Sequence, residues 1–88
     1  MPTLSLFYGI IISMHREDGT QHHIPHIHAE SAEHEASISL DNEILAGSLP
    51  KNKLRLVEAW IEIHREDLLN NWLLLQRGLK HFAIDPLK

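Results

Sequence analysis

The sequence contains no cysteine, which excludes disulfide bridges, cysteine-ligated zinc sites and thiol nucleophiles. Any metal ion would therefore need histidine, aspartate or glutamate ligands. Long hydrophobic runs are also missing, since the longest one, near residues 6–13, is far shorter than a membrane span. The start Met1-Pro2-Thr3 lacks the basic segment and small-residue cleavage site of a signal peptide. We therefore expect a cytoplasmic protein.

The chain is short, and its charge is unevenly distributed. Its 88 residues are expected to form a single domain over residues 1–88, and 43% are apolar, too many for a disordered chain. Residues 1–50 carry one basic and seven acidic groups, a net charge of −6, whereas residues 51–88 carry seven basic and five acidic groups, a net charge of +2. An overall charge of −4 disfavours general nucleic-acid binding, so any such contact would use the C-terminal half.

Four segments have the pattern of β-strands. Residues 3–14 are apolar on both sides and rich in isoleucine, which predicts one strand covered on both faces. Three further strands are predicted over residues 26–30, 35–40 and 44–49. Between the last two, Asp41-Asn42 suits a tight hairpin turn because both residues tolerate positive φ.

The second half of the chain has the period of a helix. Apolar residues recur every three or four positions, which predicts a long amphipathic helix over residues 49–77. Ser48 is the expected N-cap and Gly78 the expected stop, with a bend near His64. Residues 82–87 form an apolar, extended tail that we expect to pack back on the domain. The predicted fold class is α+β: a small four-stranded, mainly antiparallel sheet, then the long helix and the short tail.

Histidine is unusually frequent, with eight residues in the chain and six of them between positions 15 and 34. Side chains two apart in a strand share a face, so His26, His28 and Glu30 are predicted to point the same way. A two-residue loop at 31–32 would place His28 opposite Glu35 on the next strand. Registers shifted by two residues keep the same faces. The sequence therefore predicts a polar face that gathers these histidines and acidic side chains.

This face allows three interpretations. In an acid–base site, His26, His28 and Glu35 would be the catalytic side chains. In a metal site, His26, His28 and Glu30 would be ligands for a divalent ion such as zinc, nickel or iron. In the third interpretation the face is only solvated. His22 and His23 precede the strand in a loop and are expected to be exposed.

Lys51, Lys53 and Arg55 lie in the first turns of the predicted helix. The helix dipole already places positive charge at this end, so cations are unfavourable there. Such a cluster beside free backbone N–H groups predicts an anion or phosphate site. The alternative is a solvated basic turn, balanced by the acidic hairpin or by an acidic partner.

Several segments together resemble a known family. They are MPTLSLFYGI, PHIHAE, SISLDNEILAGSLP, LVEAWIEIHREDLLNNW and the closing IDPL. The chain is similar over nearly its whole length to small bacterial proteins that carry a domain of unknown function, DUF4160. The residues that match the family's two motifs are Pro25, His26, His28, Ala29 and Glu30, then Trp60, His64, Arg65, Glu66, Leu68 and Trp72. The pair Ser31-Ala32 departs from the glycine expected at the hairpin turn.

The resemblance implies a toxin-like component of a two-gene module, because family members are typically encoded beside another small protein. That neighbour would act as the antitoxin-like partner. The resemblance supplies no mechanism, and action on RNA by a ribonuclease-type activity is a hypothesis for such a toxin. Two other classes of function stay open. The chain could be a metal-binding module without turnover, or a non-catalytic protein that binds a partner, or a second copy of itself, through exposed strand edges.

Overall fold

The computed structural model describes residues 3–15 and 24–88, which form an antiparallel sheet followed by a long helix. Each strand pairs with the next one in sequence, so the sheet is a simple meander ordered β1-β2-β3-β4-β5. The elements are β1 (Thr3–Phe7), β2 (Ile10–Ser13), β3 (His26–Ser31), β4 (His34–Ser39), β5 (Ile44–Ser48) and α1 (Lys51–Gln76). The α+β class and the long C-terminal helix are confirmed.

The sheet has five strands, so the prediction of four is wrong. The apolar run over residues 3–14 is a hairpin that turns at Tyr8 and Gly9, whose φ angles are 49° and 75°. Two successive residues with positive φ match the twist of a tight hairpin. Leu6 and Ile11 pair across the two strands and are 63% and 41% exposed, so this segment is not covered on both faces.

The helix covers one face of the sheet and closes the core. Ile12, Ile27 and Ile38 on three neighbouring strands are fully buried. From the helix, Trp60 packs its ring 5.4 Å from that of Phe7 and is itself fully buried. Alternation along each strand leaves the other side chains on the opposite face of the sheet.

The turn between β3 and β4 lies one residue later than predicted. It consists of Ala32 and Glu33, and Ala32 has a φ of 53°. His28 therefore lies opposite Ser37, not opposite Glu35. The pairing differs from the predicted one by two residues along β4, which preserves the face of every side chain.

The helix begins after Pro50, and no side chain of the described residues caps it, so the prediction of Ser48 as N-cap is wrong. The predicted bend is present: His64 has non-helical angles (φ −112°, ψ 18°). At the other end Gly78 has a φ of 72° and stops the helix as predicted. The Gly78 amide donates to the Leu75 carbonyl and the Leu79 amide to that of Leu74, which is the Schellman pattern.

The tail packs back on the domain, as predicted. Asn71 in the helix donates to the Phe82 carbonyl and accepts from the Phe82 amide, both at 2.8 Å. The Ile84 amide donates to the Leu4 carbonyl at 2.9 Å, so the tail covers part of the outer edge of β1. Ile84 is buried there and extends the core.

Candidate functional site

The strand register gathers polar side chains on the sheet face opposite the core. We call this the histidine face, and it carries Ser13, His26, His28, Glu30, Glu35, Ser37 and Ser39. One cross-strand row joins Ser13, His28 and Ser37, and the next row on the same face joins Ile11, Glu30 and Glu35. The alternation of the sequence thus places the predicted catalytic and ligand side chains on one face.

Three imidazole rings form a cluster on this face. The centroids of the His28 and His15 rings are 4.3 Å apart, and the rings are nearly perpendicular. On its other side, the His28 ring lies 5.3 Å from the His26 ring. His28 is therefore the central member of the cluster, and His15, just after β2, is the third member.

His26 is held rigidly at the start of β3. It is 1% exposed, and its Nδ1 lies 2.8 Å from the Ile24 carbonyl oxygen. Because a carbonyl oxygen can only accept a hydrogen bond, Nδ1 of His26 carries the proton in this bond. The ring also packs 5.2 Å from the ring of Trp72, on the helix segment that follows the bend.

His28 and Glu35 line the same small pocket. Its volume is about 70 Å³, and it is lined by His28, Glu35, Ala36, Ser37, Ala46 and Gly47. His28 Nδ1 lies 3.3 Å from Ser37 Oγ, a hydrogen bond that orients the ring. The pocket is open on the β5 side because Ala46 and Gly47 fill little space there.

Gly47 allows β5 to approach β4 closely beside this pocket. Its φ is +73°, and a Cβ atom built there would lie 2.2 Å from the Glu35 carbonyl oxygen. No side chain fits at that distance, so only glycine permits this packing. The β5 side of the pocket therefore depends on glycine at position 47.

Glu30 and Glu35 face each other directly across β3 and β4. Two like charges in this arrangement are unfavourable, which favours a positive group between them. Glu30, a predicted metal ligand, does not line the pocket. Within residues 3–15 and 24–88, no three His, Asp or Glu side chains are grouped so that they could hold a metal ion. His22 and His23 lie outside the described residues.

The three basic residues at the helix start do not converge on one point. Lys53 donates from Nζ to the Tyr8 carbonyl at 2.6 Å and so ties the helix to the β1–β2 turn. Lys51 and Arg55 are exposed and lie one helical turn apart. In a meander, the β1–β2 turn is at the opposite end of the sheet from His26, where β3 begins. The structure therefore separates the predicted phosphate site from His26.

Two side chains of the site have no clear signal in the sequence. Ser37 meets His28 only in the observed register. Trp72 fits the apolar stripe of the helix and packs against His26 from the segment that follows the bend at His64. His15 carried a weaker signal, since it follows a strand that the histidine-rich segment could pair with.

Comparisons with known proteins agree with the motifs. The family model of a domain of unknown function (DUF4160) matches residues 9–73, which include the PHIHAE segment and most of the helix. Neither the curated proteins nor the solved structures contain a match. In the part of the chain that the structure describes, no helix is both long enough and apolar enough to cross a bilayer.

Proposed function

This chain belongs to the DUF4160 family, and on that premise we propose that it is the toxin-like component of a bacterial two-gene module. It would act in the cytoplasm on RNA, and the small protein encoded by the neighbouring gene would neutralise it. The observation that carries the proposal is the shared pocket: His28 and Glu35, two of the three predicted catalytic side chains, line it together. The third, His26, supports the His28 ring from a distance of 5.3 Å.

The pocket side chains suit acid–base cleavage of a phosphodiester. The Glu35 carboxylate would take the proton from a ribose 2′-hydroxyl, whose oxygen then attacks the adjacent phosphorus. His28 in its protonated form would give its proton to the departing 5′-oxygen as the P–O bond breaks. His26 is buried and acts as a positioning residue, because it reaches the reaction only through the His28 ring.

The negative charge of the histidine face opposes the binding of an anionic substrate. Glu30 and Glu35 repel a phosphate, so a protonated imidazole has to hold it. Lys53 is bonded to the Tyr8 carbonyl. Lys51 and Arg55 are exposed at the start of the helix, which covers the other face of the sheet, so they would meet only a more distant phosphate of a longer RNA.

Growth on induction tests the proposal. Expression of the chain alone should arrest growth, and co-expression of the neighbouring gene should relieve the arrest. Purified protein should cleave total RNA, and His28→Gln or Glu35→Gln should lower the cleavage rate by roughly 10²- to 10⁴-fold. His34→Gln is the matched control, because His34 is exposed at the β3–β4 turn. Full toxicity of the His28→Gln, Glu35→Gln double variant would refute the catalytic proposal.

Metal binding is the second candidate function. The rings of His15 and His28 lie 4.3 Å apart and would supply at most two ligands to zinc, nickel or iron, because the described residues contain no group of three metal-ligating side chains. Calorimetric titration of untagged protein with each ion separates the two functions. Stoichiometric binding that His28→Gln abolishes, without RNA cleavage, would replace the acid–base proposal. A stable complex with the neighbouring protein, without toxicity or metal, would instead indicate a purely partner-binding role.

A further inference from the structure

The two outer edges of the sheet differ. The β1 edge is partly covered, because the Ile84 amide in the tail bonds to the Leu4 carbonyl. The β5 edge has no strand beside it among residues 3–15 and 24–88. Its sequence, ILAGS over Ile44–Ser48, contains no charge and no proline, two of the devices that protect a free edge from pairing, although its register with β4 shifts once, between Ser37 and Ile38. Ile44 is 44% exposed on this strand. An uncharged free edge of this kind favours the addition of another strand.

The charges at the two ends of β5 have opposite sign. Asp41 and Glu43 are exposed in the turn before the strand, whereas Lys51 is exposed in the first turn of the helix that follows it. The helix dipole adds positive charge at that second end. A copy of the same strand running antiparallel places each acidic end beside a basic end. The edge is therefore complementary to itself in charge as well as in backbone hydrogen bonding.

We propose that two copies of this chain pair antiparallel along β5, about a twofold axis near Ala46, to form one continuous sheet. Such an interface is isologous, so each surface meets an identical one. Ile44 of each copy then lies near Ser48 of the other, and Lys51 lies near the partner's acidic turn. Lys51, which is unfavourable at the helix start within a single chain, would thus be stabilised by the acidic turn of the second copy.

The proposed dimer would change the pocket as well. Ala46 and Gly47 line the pocket beside His28 and Glu35, and they belong to the outermost strand. A second β5 would therefore add an outer wall to each pocket, and the two pockets would flank the axis. The interface goes beyond the proposed function and does not depend on it, because mass alone reports the dimer whether or not RNA is cleaved.

Sedimentation velocity on the full chain tests the interface. Ala46→Lys places two lysines against each other at the axis and should weaken the dimer by roughly tenfold or more, and Ala46→Glu should do the same. Mixing the two variants should restore a dimer, since the opposite charges then meet. Leu6→Lys is the matched control: it adds the same charge to an exposed position of β1 and should leave the dimer intact. Circular dichroism of each variant reports whether the fold is retained.

A charge exchange gives an independent test. Asp41→Lys and Lys51→Glu should each weaken the dimer, because positions 41 and 51 lie opposite each other about an axis at Ala46, and the double variant should recover most of the wild-type affinity. A wild-type chain that stays monomeric throughout the micromolar range would overturn the proposal. So would a dimer that Leu6→Lys disrupts and Ala46→Lys does not, because the contact would then lie at the other edge of the sheet.

Discussion

Replacing Gly47 with alanine should strongly destabilise the protein, because the new methyl group meets backbone and not a movable side chain. The Cβ atom would lie 2.2 Å from the Glu35 carbonyl oxygen and 3.1 Å from the Ala36 Cα. Both atoms belong to β4, the strand hydrogen-bonded to β5. The clash can be relieved only if the two strands separate locally.

The expected cost has two parts. Holding a non-glycine residue at a φ of +73° costs about 1–2 kcal/mol. Separation of the strands weakens at least one ladder hydrogen bond, which adds about 1–1.5 kcal/mol. The free energy of unfolding should therefore fall by about 3 kcal/mol. In a domain of this size that corresponds to a drop in Tm of roughly 12–24 °C.

Gly9→Ala is the matched control for this experiment. Gly9 has nearly the same φ, +75°, but a Cβ atom there would come no nearer than 4.0 Å to the flexible Lys53 Nζ. This variant should lose only the conformational part, about 1–2 kcal/mol. Urea denaturation monitored by tryptophan fluorescence measures both variants. Equal losses in the two variants, or a larger loss in Gly9→Ala, would refute the steric explanation of the close β4–β5 approach.

Three further substitutions test contacts outside the pocket. Asn71→Ala should lower stability by about 2–3 kcal/mol, because it removes both bonds to Phe82 from a fully buried side chain; thermal melting measures this, and a loss below about 0.5 kcal/mol would contradict it. Ser39→Ala should cost about 1–2 kcal/mol in urea, since its hydroxyl accepts from two amides of the β4–β5 turn; unchanged hydrogen exchange at that turn would argue against this role. Lys53→Met should cost about 1 kcal/mol in urea by losing the bond to the Tyr8 carbonyl; a more stable variant would show that the cation only destabilises the helix start.

The sequence predicted the sheet faces and the helix because both follow from hydrophobic period. Alternation over the strands that begin at His26 and His34 assigned each side chain to its face, and faces survive a shift of two residues. The hairpin at Tyr8-Gly9 was missed because the turn lies inside an unbroken apolar run. Tyrosine rarely adopts positive φ, so Gly9 was the only local sign of a reversal.

The candidate site was less predictable than the fold, because its contacts depend on turn geometry and on tertiary packing. Ala32 takes a φ of 53°, a conformation that alanine rarely adopts, and this turn decides that Ser37 lies opposite His28. The contact between His26 and Trp72 joins the start of β3 to the helix segment after the bend, two parts of the chain that are far apart in sequence. The spacing of residues within one strand or one helix predicts neither the turn conformation nor this contact.

The bend at His64 also lets the helix fit within the length of the domain. A straight helix of 26 residues would extend roughly 39 Å, whereas the longest dimension of the molecule is 34 Å. A straight helix would therefore project about one turn beyond the rest of the molecule, and that turn includes the buried Leu75. The segment before the bend covers the core through Trp60, and the segment after it contacts the imidazole cluster through Trp72. Substitutions that straighten it would loosen both surfaces together.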